Sequence, residues 1–90
     1  MINRNDIKDQ LDLLEWKLSN NAIEKTYIFK DFKSALEFVN QVGQLAEESD
    51  HHPNILMHDW NKVTVTATTH SEGGVTDKDI DLAKRINEKT

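Results

Sequence analysis

Three histidines lie where predicted secondary-structure elements end. His51 and His52 follow a long helical pattern and precede Pro53, and His70 follows a threonine-rich alternating segment. Imidazole both donates and accepts protons near neutral pH, and folds present functional groups at the ends of their elements. Pro53 also disfavours helical geometry at His52. For any one of these residues a solvent-exposed loop histidine is the commoner explanation. For the three together, a role in proton transfer competes with that explanation but does not displace it on these grounds alone.

Two carboxylates accompany these histidines in the sequence. Glu47 lies one helical turn before His51, and a carboxylate near an imidazole stabilises its protonated form and can orient the ring. Asp79 falls three residues after Thr76, at the N3 position of a capping box, and capping alone is a sufficient reason for an aspartate at this position. Its closeness to the loop after His70 leaves a functional role open. Ordinary surface charge explains Glu47 equally well.

The histidine spacing does not favour a metal site. Neighbouring residues of an extended chain point to opposite sides, so His51 and His52 do not readily bind one ion. The chain has no cysteine, which excludes thiolate zinc sites and thiol catalysis. The tryptophans Trp16 and Trp60 can stack on a flat ligand, although core packing is the commoner role of this residue.

Hydrophobic periodicity and turn residues predict the order α-β-β-α-β-β-α. Asn5 is predicted to cap the first helix, Asp31 precedes the second, and Thr76 caps the third. The turns are predicted at Asn20-Asn21 and Asn61-Lys62. The predicted elements are a helix over about Asp6 to Leu14, strands over 16–19 and Ala22 to Phe29, a helix over about Phe32 to Ser49, strands over Ile55 to Trp60 and Val63 to Thr69, and a helix to about Glu88.

Two hairpins and three helices predict an α+β fold, with an antiparallel sheet and the helices packed on one face. In the strand over residues 63–69, apolar residues alternate with threonines, so one face is predicted to be buried. Strict alternation places His70 on the threonine face. The apolar stripe of the long helix is predicted to comprise Phe32, Ala35, Leu36, Val39, Val42 and Ala46.

The composition limits the possible functions. Ninety residues predict one domain over residues 1–90, and the net charge of −5 without a basic stripe disfavours direct binding to nucleic acid. No apolar run approaches the roughly 20 residues that span a bilayer, and the N-terminus lacks a signal-peptide core, so we expect a cytoplasmic protein. So small a core without disulfides favours self-association.

The sequence resembles the pterin-4a-carbinolamine dehydratase family from about Glu15 to Ile86. The resemblance rests on Glu47-x-x-x-His51-His52-Pro53, Trp60-Asn61-Lys62-Val63, Thr69-His70 and Gly73-Gly74-Val75-Thr76-x-x-Asp79-Ile80, with Trp16 and 29–32 upstream. Two features depart from the family pattern. Glu15 stands where glycine is more frequent, and six residues rather than five separate Pro53 from Trp60. The extra residue is expected to form a bulge or to lengthen the strand.

The resemblance implies a four-stranded antiparallel sheet with three helices on one side, a pterin substrate and no metal or bound cofactor. It also implies a homodimer or homotetramer. Its implied reaction is dehydration of 4a-hydroxytetrahydropterin to quinonoid dihydropterin and water, in tetrahydrobiopterin recycling. Carried over by position, His51, His52 and His70 are the active-site histidines, and Glu47 and Asp79 are supporting acids. The substrate-contact residues are expected to include Pro53 and Trp60.

Two other classes of function remain open from the sequence. One is a non-catalytic interaction module, since the resemblance implies, in animals, a dimerisation cofactor of a homeodomain transcription factor. The other is a small regulatory domain that binds a metabolite without turnover. For the enzyme we expect His51 and His70 to exchange protons while His52 orients the pterin. General acid–base help of roughly 10²–10⁴-fold suffices, because carbinolamines also dehydrate unaided.

Overall fold

The computed structural model describes residues 4–90 and has the predicted order of elements. Asn5 lies within α1, so the prediction that it caps this helix is wrong. An N-cap residue has a non-helical backbone conformation, whereas the backbone of Asn5 is helical. The elements are α1 (Arg4–Leu14), β1 (Lys17–Ser19), β2 (Ala22–Ile28), α2 (Phe32–Ser49), β3 (Asn54–His58), β4 (Lys62–Ala67), a 3₁₀ turn (His70–Glu72) and α3 (Asp77–Asn87).

The four strands form an antiparallel sheet in the order β1-β2-β4-β3. The first hairpin turns at Asn20 and Asn21 as predicted, and both have positive φ (49° and 63°), as a tight two-residue turn requires. The second hairpin turns at residues 59–61, not at Asn61-Lys62. Asp59 and Trp60 supply the positive φ values there (47° and 55°), so Lys62 is already part of β4.

The pairing of β3 with β4 is uninterrupted from Asn54↔Thr66 to His58↔Lys62. The residue that exceeds the family spacing between Pro53 and Trp60 therefore forms no bulge within the strands. β4 ends at Ala67, and His70 begins the 3₁₀ turn, so strand alternation does not decide where His70 points. The premise of strict alternation, which places His70 on the threonine face, therefore does not apply to this residue.

The helices cover one face of the sheet, as predicted. Val63, Val65 and Ala67 are buried on that face, whereas the threonines between them are partly exposed on the other. No helix among residues 4–90 is both long and apolar enough to cross a membrane.

The inward face of α2 differs from the predicted stripe. Asp31 caps α2 by accepting a hydrogen bond from the Ser34 N–H (2.7 Å), and this bond holds the pKa of Asp31 below its usual value. Phe32 and Leu36, however, are 53% and 44% exposed. Phe38 takes the central position instead, because its ring packs between those of Tyr27 and Phe29 at 4.7 and 5.0 Å. The buried residues of α2 are Ala35, Phe38, Val42, Leu45 and Ala46.

A polar cluster joins the end of α3 to α1 and the sheet. The Asn87 side-chain oxygen accepts hydrogen bonds from the Trp16 indole (3.1 Å) and the Tyr27 hydroxyl, and its amide donates to the Leu14 carbonyl (2.9 Å). Burial raises the pKa of the Tyr27 phenol. Trp16 is thus a core residue with a satisfied N–H, which is the commoner of the two roles considered for it.

Candidate active site

His51 is held at the end of α2 by the backbone. Asp50 adopts the left-handed conformation (φ 51°, ψ 41°), which aspartate tolerates better than most residues. The His51 N–H donates to the Ala46 carbonyl (3.1 Å), and the Asp50 N–H donates to that of Glu47 (3.4 Å). These two bonds form a Schellman motif, so the chain leaves α2 in a fixed direction. The His51 side chain is 14% exposed and reaches α3.

Asp79 is fully buried in the first turn of α3 and accepts three hydrogen bonds. Its Oδ1 lies 2.6 Å from Nε2 of His51. Its Oδ2 accepts from the Thr69 hydroxyl (2.7 Å) and from the Thr76 N–H (2.9 Å). Thr76 is the N-cap, so the predicted capping box is present. One carboxylate therefore both caps α3 and contacts the imidazole of His51.

Counting donors and acceptors assigns the tautomer of His51. A carboxylate can only accept hydrogen bonds, so Nε2 of His51 carries the hydrogen that faces Asp79. In the neutral ring Nδ1 is then the proton acceptor. The adjacent carboxylate stabilises the imidazolium that forms when Nδ1 takes a proton, which is the role of aspartate in a Ser-His-Asp triad. His51 is thus equipped to exchange a proton at Nδ1.

His70 enters the same region from the end of β4. Thr69 pairs with Gly74 through two backbone hydrogen bonds (3.0 and 3.3 Å), and these close the loop that holds the 3₁₀ turn. Gly73 ends that turn with φ 71°, a conformation that favours glycine. The His70 side chain is exposed, and among side chains 7–90 it makes no hydrogen bond. Its ring is therefore accessible to a ligand.

Two hydrogen bonds and one peptide bond connect the two imidazoles. His51 contacts Asp79, Asp79 contacts Thr69, and Thr69 precedes His70 in the chain. The corner after α2 and the loop after β4 thus lie on one part of the surface of a single protomer. Thr69 lines a depression of about 290 Å³ together with Glu72, Thr76, Asp77 and Lys78, and neither His51 nor His70 is among its lining residues. Its volume is near the lower limit of ordinary ligand pockets, roughly 300–1,000 Å³.

His52 and Glu47 form a second, exposed pair. Nε2 of His52 contacts Oε2 of Glu47, with 56% and 76% of the two side chains exposed. Exposed pairs add little stability, so this contact orients the His52 ring more than it stabilises the fold. Pro53 is half-buried and follows directly, before β3 begins at Asn54.

Trp60 is not near these residues within one protomer. It is 61% exposed at the tip of the second hairpin, at the opposite end of β4 from Thr69. At about 3.3 Å per residue the two ends lie roughly 20 Å apart. His58 lies at the same remote end, where its ring contacts Asp59 (3.0 Å) and Thr64 (2.8 Å). The His58 hydrogen bond holds the pKa of Asp59 below its usual value.

Sequence reasoning did not single out Thr69 as a site residue. The available signal was its position in the alternation Val63, Val65, Ala67, Thr69, which places a hydroxyl on the buried face and requires a partner for it. Among the residues that the structure describes, no group of three or more histidine, aspartate or glutamate side chains is arranged to hold a metal ion.

Comparison with known proteins decides the family. A sequence profile described as pterin 4 alpha carbinolamine dehydratase matches residues 1–89. The chain belongs to this family. A pterin-4-alpha-carbinolamine dehydratase named in Sulfurisphaera tokodaii is 45% identical over 84 residues, covering 92% of this chain and 89% of the relative. One from Thermosynechococcus vestitus is 48% identical over 83 residues, with coverages of 91% and 86%.

Solved structures agree with the fold of a pterin carbinolamine dehydratase. A Brucella melitensis protein described as a transcriptional coactivator/pterin dehydratase superposes with a TM-score of 0.89 and 37% identity, covering 97% of this chain and 95% of that one. A pterin dehydratase-like RuBisCO assembly factor of the alpha-carboxysome has a TM-score of 0.67 at 19% identity, with coverages of 81% and 83%, and shows the fold alone. The resemblance, the α+β fold and the expectation of a hydro-lyase are confirmed.

Proposed function

We propose that the chain dehydrates 4a-hydroxytetrahydropterin with His51 and His70 as the proton-exchanging groups. One observation carries the proposal: the buried Asp79 carboxylate contacts the His51 ring and accepts a hydrogen bond from Thr69, the residue that precedes His70 in the chain. Two imidazoles with different surroundings, one paired and one exposed, meet the need of the reaction for one acid and one base.

The reaction is an elimination of water in which one imidazole takes a proton and the other gives one. Nδ1 of His51 takes the proton of the ring nitrogen next to the carbinol carbon, and the imidazolium is stabilised by Asp79. The nitrogen lone pair forms the C=N bond while the C–O bond breaks. His70, exposed to solvent, gives its proton to the departing hydroxyl, which leaves as water. Proton exchange with solvent then returns both imidazoles to their starting protonation states.

His52, Glu47 and Pro53 hold the pterin in this proposal. The contact between Glu47 and His52 fixes the second imidazole beside the first, and Pro53 limits the freedom of the corner that carries both. Trp60 could contact the same pterin only across a subunit boundary, because it lies at the other end of β4.

The proposal is tested with freshly formed 4a-hydroxytetrahydropterin, by following the absorbance of the quinonoid product. The wild-type protein should accelerate dehydration, and His51→Ala should lower kcat by about 100-fold, within the usual range of acid–base help. His58→Ala is the matched control, because its ring lies on the remote end of the sheet, and its rate should be unchanged. A fully active His51→Ala variant would refute the assigned role.

We further propose that the protein self-associates as a homodimer or homotetramer and acts in the cytoplasm, in the recycling of tetrahydrobiopterin. Phe32 and Leu36 expose apolar surface on α2 and support an interface there. The same surface supports the second candidate function, a non-catalytic interaction module for a partner protein. Light scattering of wild-type protein and Leu36→Glu separates the cases, since a lower mass in the variant indicates self-association through α2.

A further inference from the structure

Apart from the aromatic residues Trp16 and Tyr27, Thr69 and Asp79 are the buried side chains with polar groups among residues 7–90, and they bond to each other. Thr69 is 4% exposed and occupies a position that follows the buried Val63, Val65 and Ala67 in alternation. Valine has nearly the same shape as threonine and would remove the need to satisfy a buried hydroxyl. A threonine at such a position therefore requires an explanation other than packing.

We propose that Thr69 is a positioning residue that holds Asp79, and through it His51, in the geometry for proton exchange. This inference rests on the proposed dehydratase function. Thr69 does not touch the reacting atoms in this account. Its hydroxyl acts on the carboxylate, and its backbone acts on the loop that carries His70.

The direction of each hydrogen bond follows from the donors available. The Asp79 carboxylate only accepts, so the single hydroxyl hydrogen of Thr69 points to Oδ2 (2.7 Å). The contact of 2.8 Å between the hydroxyls of Thr69 and Thr76 must then use the hydrogen of Thr76. Thr76 in turn accepts from the Lys78 N–H (3.3 Å). The bonds thus run in one direction, from the cap of α3 to the carboxylate.

This bond supplies what the helix cap alone cannot. The side-chain torsion angle χ2 of an aspartate has a broad distribution, so the carboxylate can rotate, and the Thr76 N–H holds Oδ2 from one side only. The Thr69 hydroxyl approaches the same oxygen from the chain that follows β4, so Oδ2 is held by two elements. Oδ1 is thereby kept facing Nε2 of His51 at 2.6 Å.

The backbone of Thr69 serves the other imidazole. Its N–H and carbonyl pair with Gly74, and the carbonyl also accepts from the Glu72 N–H (3.0 Å). These bonds fix the start of the 3₁₀ turn at His70. One residue therefore sets the position of His70 through its main chain and the orientation of His51 through its side chain.

The test compares Thr69→Val, which removes the donor, with Thr69→Ser, which retains it. Thr69→Val should lower kcat about tenfold, the equivalent of about 1.4 kcal/mol, with KM within about twofold. Thr69→Ser should restore most of kcat. Thr68→Val is the control, since the Thr68 hydroxyl donates to the Asn21 carbonyl (2.7 Å) and not to Asp79.

Ring ¹⁵N spectra of His51 provide a readout that does not depend on turnover. The wild-type protein, Thr68→Val and Thr69→Ser should keep the hydrogen on Nε2, whereas Thr69→Val should populate the Nδ1–H tautomer. If Thr69→Val does not fold, Thr69→Ala, which also lacks the hydroxyl donor, is read by the same criteria. The inference is overturned by a folded variant with the wild-type tautomer and kcat, or by a serine variant as impaired as valine. A wild-type protein without dehydratase activity would refute the proposed function instead, while the spectra still decide the role of Thr69.

Discussion

Asp79→Asn separates the structural and chemical tasks of the buried carboxylate. Asparagine keeps the shape but replaces one acceptor oxygen by an NH₂ donor. At the Oδ2 position two donors arrive, from Thr69 and Thr76, whereas one arrives at Oδ1. The amide therefore keeps its oxygen at the Oδ2 position and turns its NH₂ toward His51. The ring of His51 must then accept at Nε2 and carry its hydrogen on Nδ1.

The two tasks respond to this change by different amounts. All three hydrogen bonds can be remade after the tautomer change, so the loss of their charge assistance costs about 1–2 kcal/mol, or roughly 4–16 °C in Tm for a domain of this size. The atom presented to the pterin changes from an acceptor to a donor, and we expect kcat to fall by about 100-fold or more. Thermal unfolding and the dehydration assay on the same sample measure both.

Asp81→Asn is the matched control for this variant. Asp81 lies on the same helix, where it makes a surface ion pair with Arg85 (3.3 Å), and such pairs contribute about 0–1 kcal/mol. Its Tm and kcat should stay close to the wild-type values. An Asp79→Asn protein with wild-type kcat, or with the hydrogen still on Nε2 of His51, would refute the reasoning.

Three further predictions concern the fold. Asn87→Ala should lower the free energy of unfolding by about 2–3 kcal/mol in chemical denaturation, because the buried donors of Trp16 and Tyr27 lose their acceptor. The control Asn40→Ala, on the exposed side of α2, should leave the free energy of unfolding nearly unchanged. Burial raises the pKa of the Tyr27 phenol, so the stability that the neutral phenol contributes is complete below the unfolded-state pKa of about 10 and is lost as the pH rises above that value. Tyr27 is the single tyrosine, so the tyrosinate absorbance should appear together with alkaline unfolding and not before unfolding. Glu15→Gly should stabilise the protein by roughly 1 kcal/mol in thermal unfolding, because Glu15 has φ 64° where α1 ends; an unchanged Tm would show that the conformation is not strained.

The elements were predictable where local signals decide them. Asp31 and Thr76 mark the starts of α2 and α3 through side-chain capping, and Asn20-Asn21 marks a turn through positive φ. The inward face of α2 could not be predicted from the sequence. Phe32 and Phe38 both fit an apolar stripe, and which of the two rings packs against Tyr27 depends on how α2 lies on the sheet.

The sequence identified candidate residues of the site, but it did not predict the contacts that Asp79 makes with His51 and Thr69. The capping box predicted the place of Asp79 in α3 without reference to His51, which reaches it from the end of a different helix. That contact depends on how α2 and α3 pack, which no local pattern contains. The role of Thr69 was not predicted for a related reason, since its hydroxyl meets Asp79 only when α3 packs against the chain that follows β4.

A crystal structure of the protein soaked with 7,8-dihydrobiopterin, a pterin that cannot lose water, tests the central claim most directly. The proposal predicts the pterin ring beside the depression lined by Thr69 and Thr76, with Nδ1 of His51 and the ring of His70 both within hydrogen-bond distance of it. A pterin seated on the open threonine face of the sheet, or one that meets a single imidazole, would contradict the account.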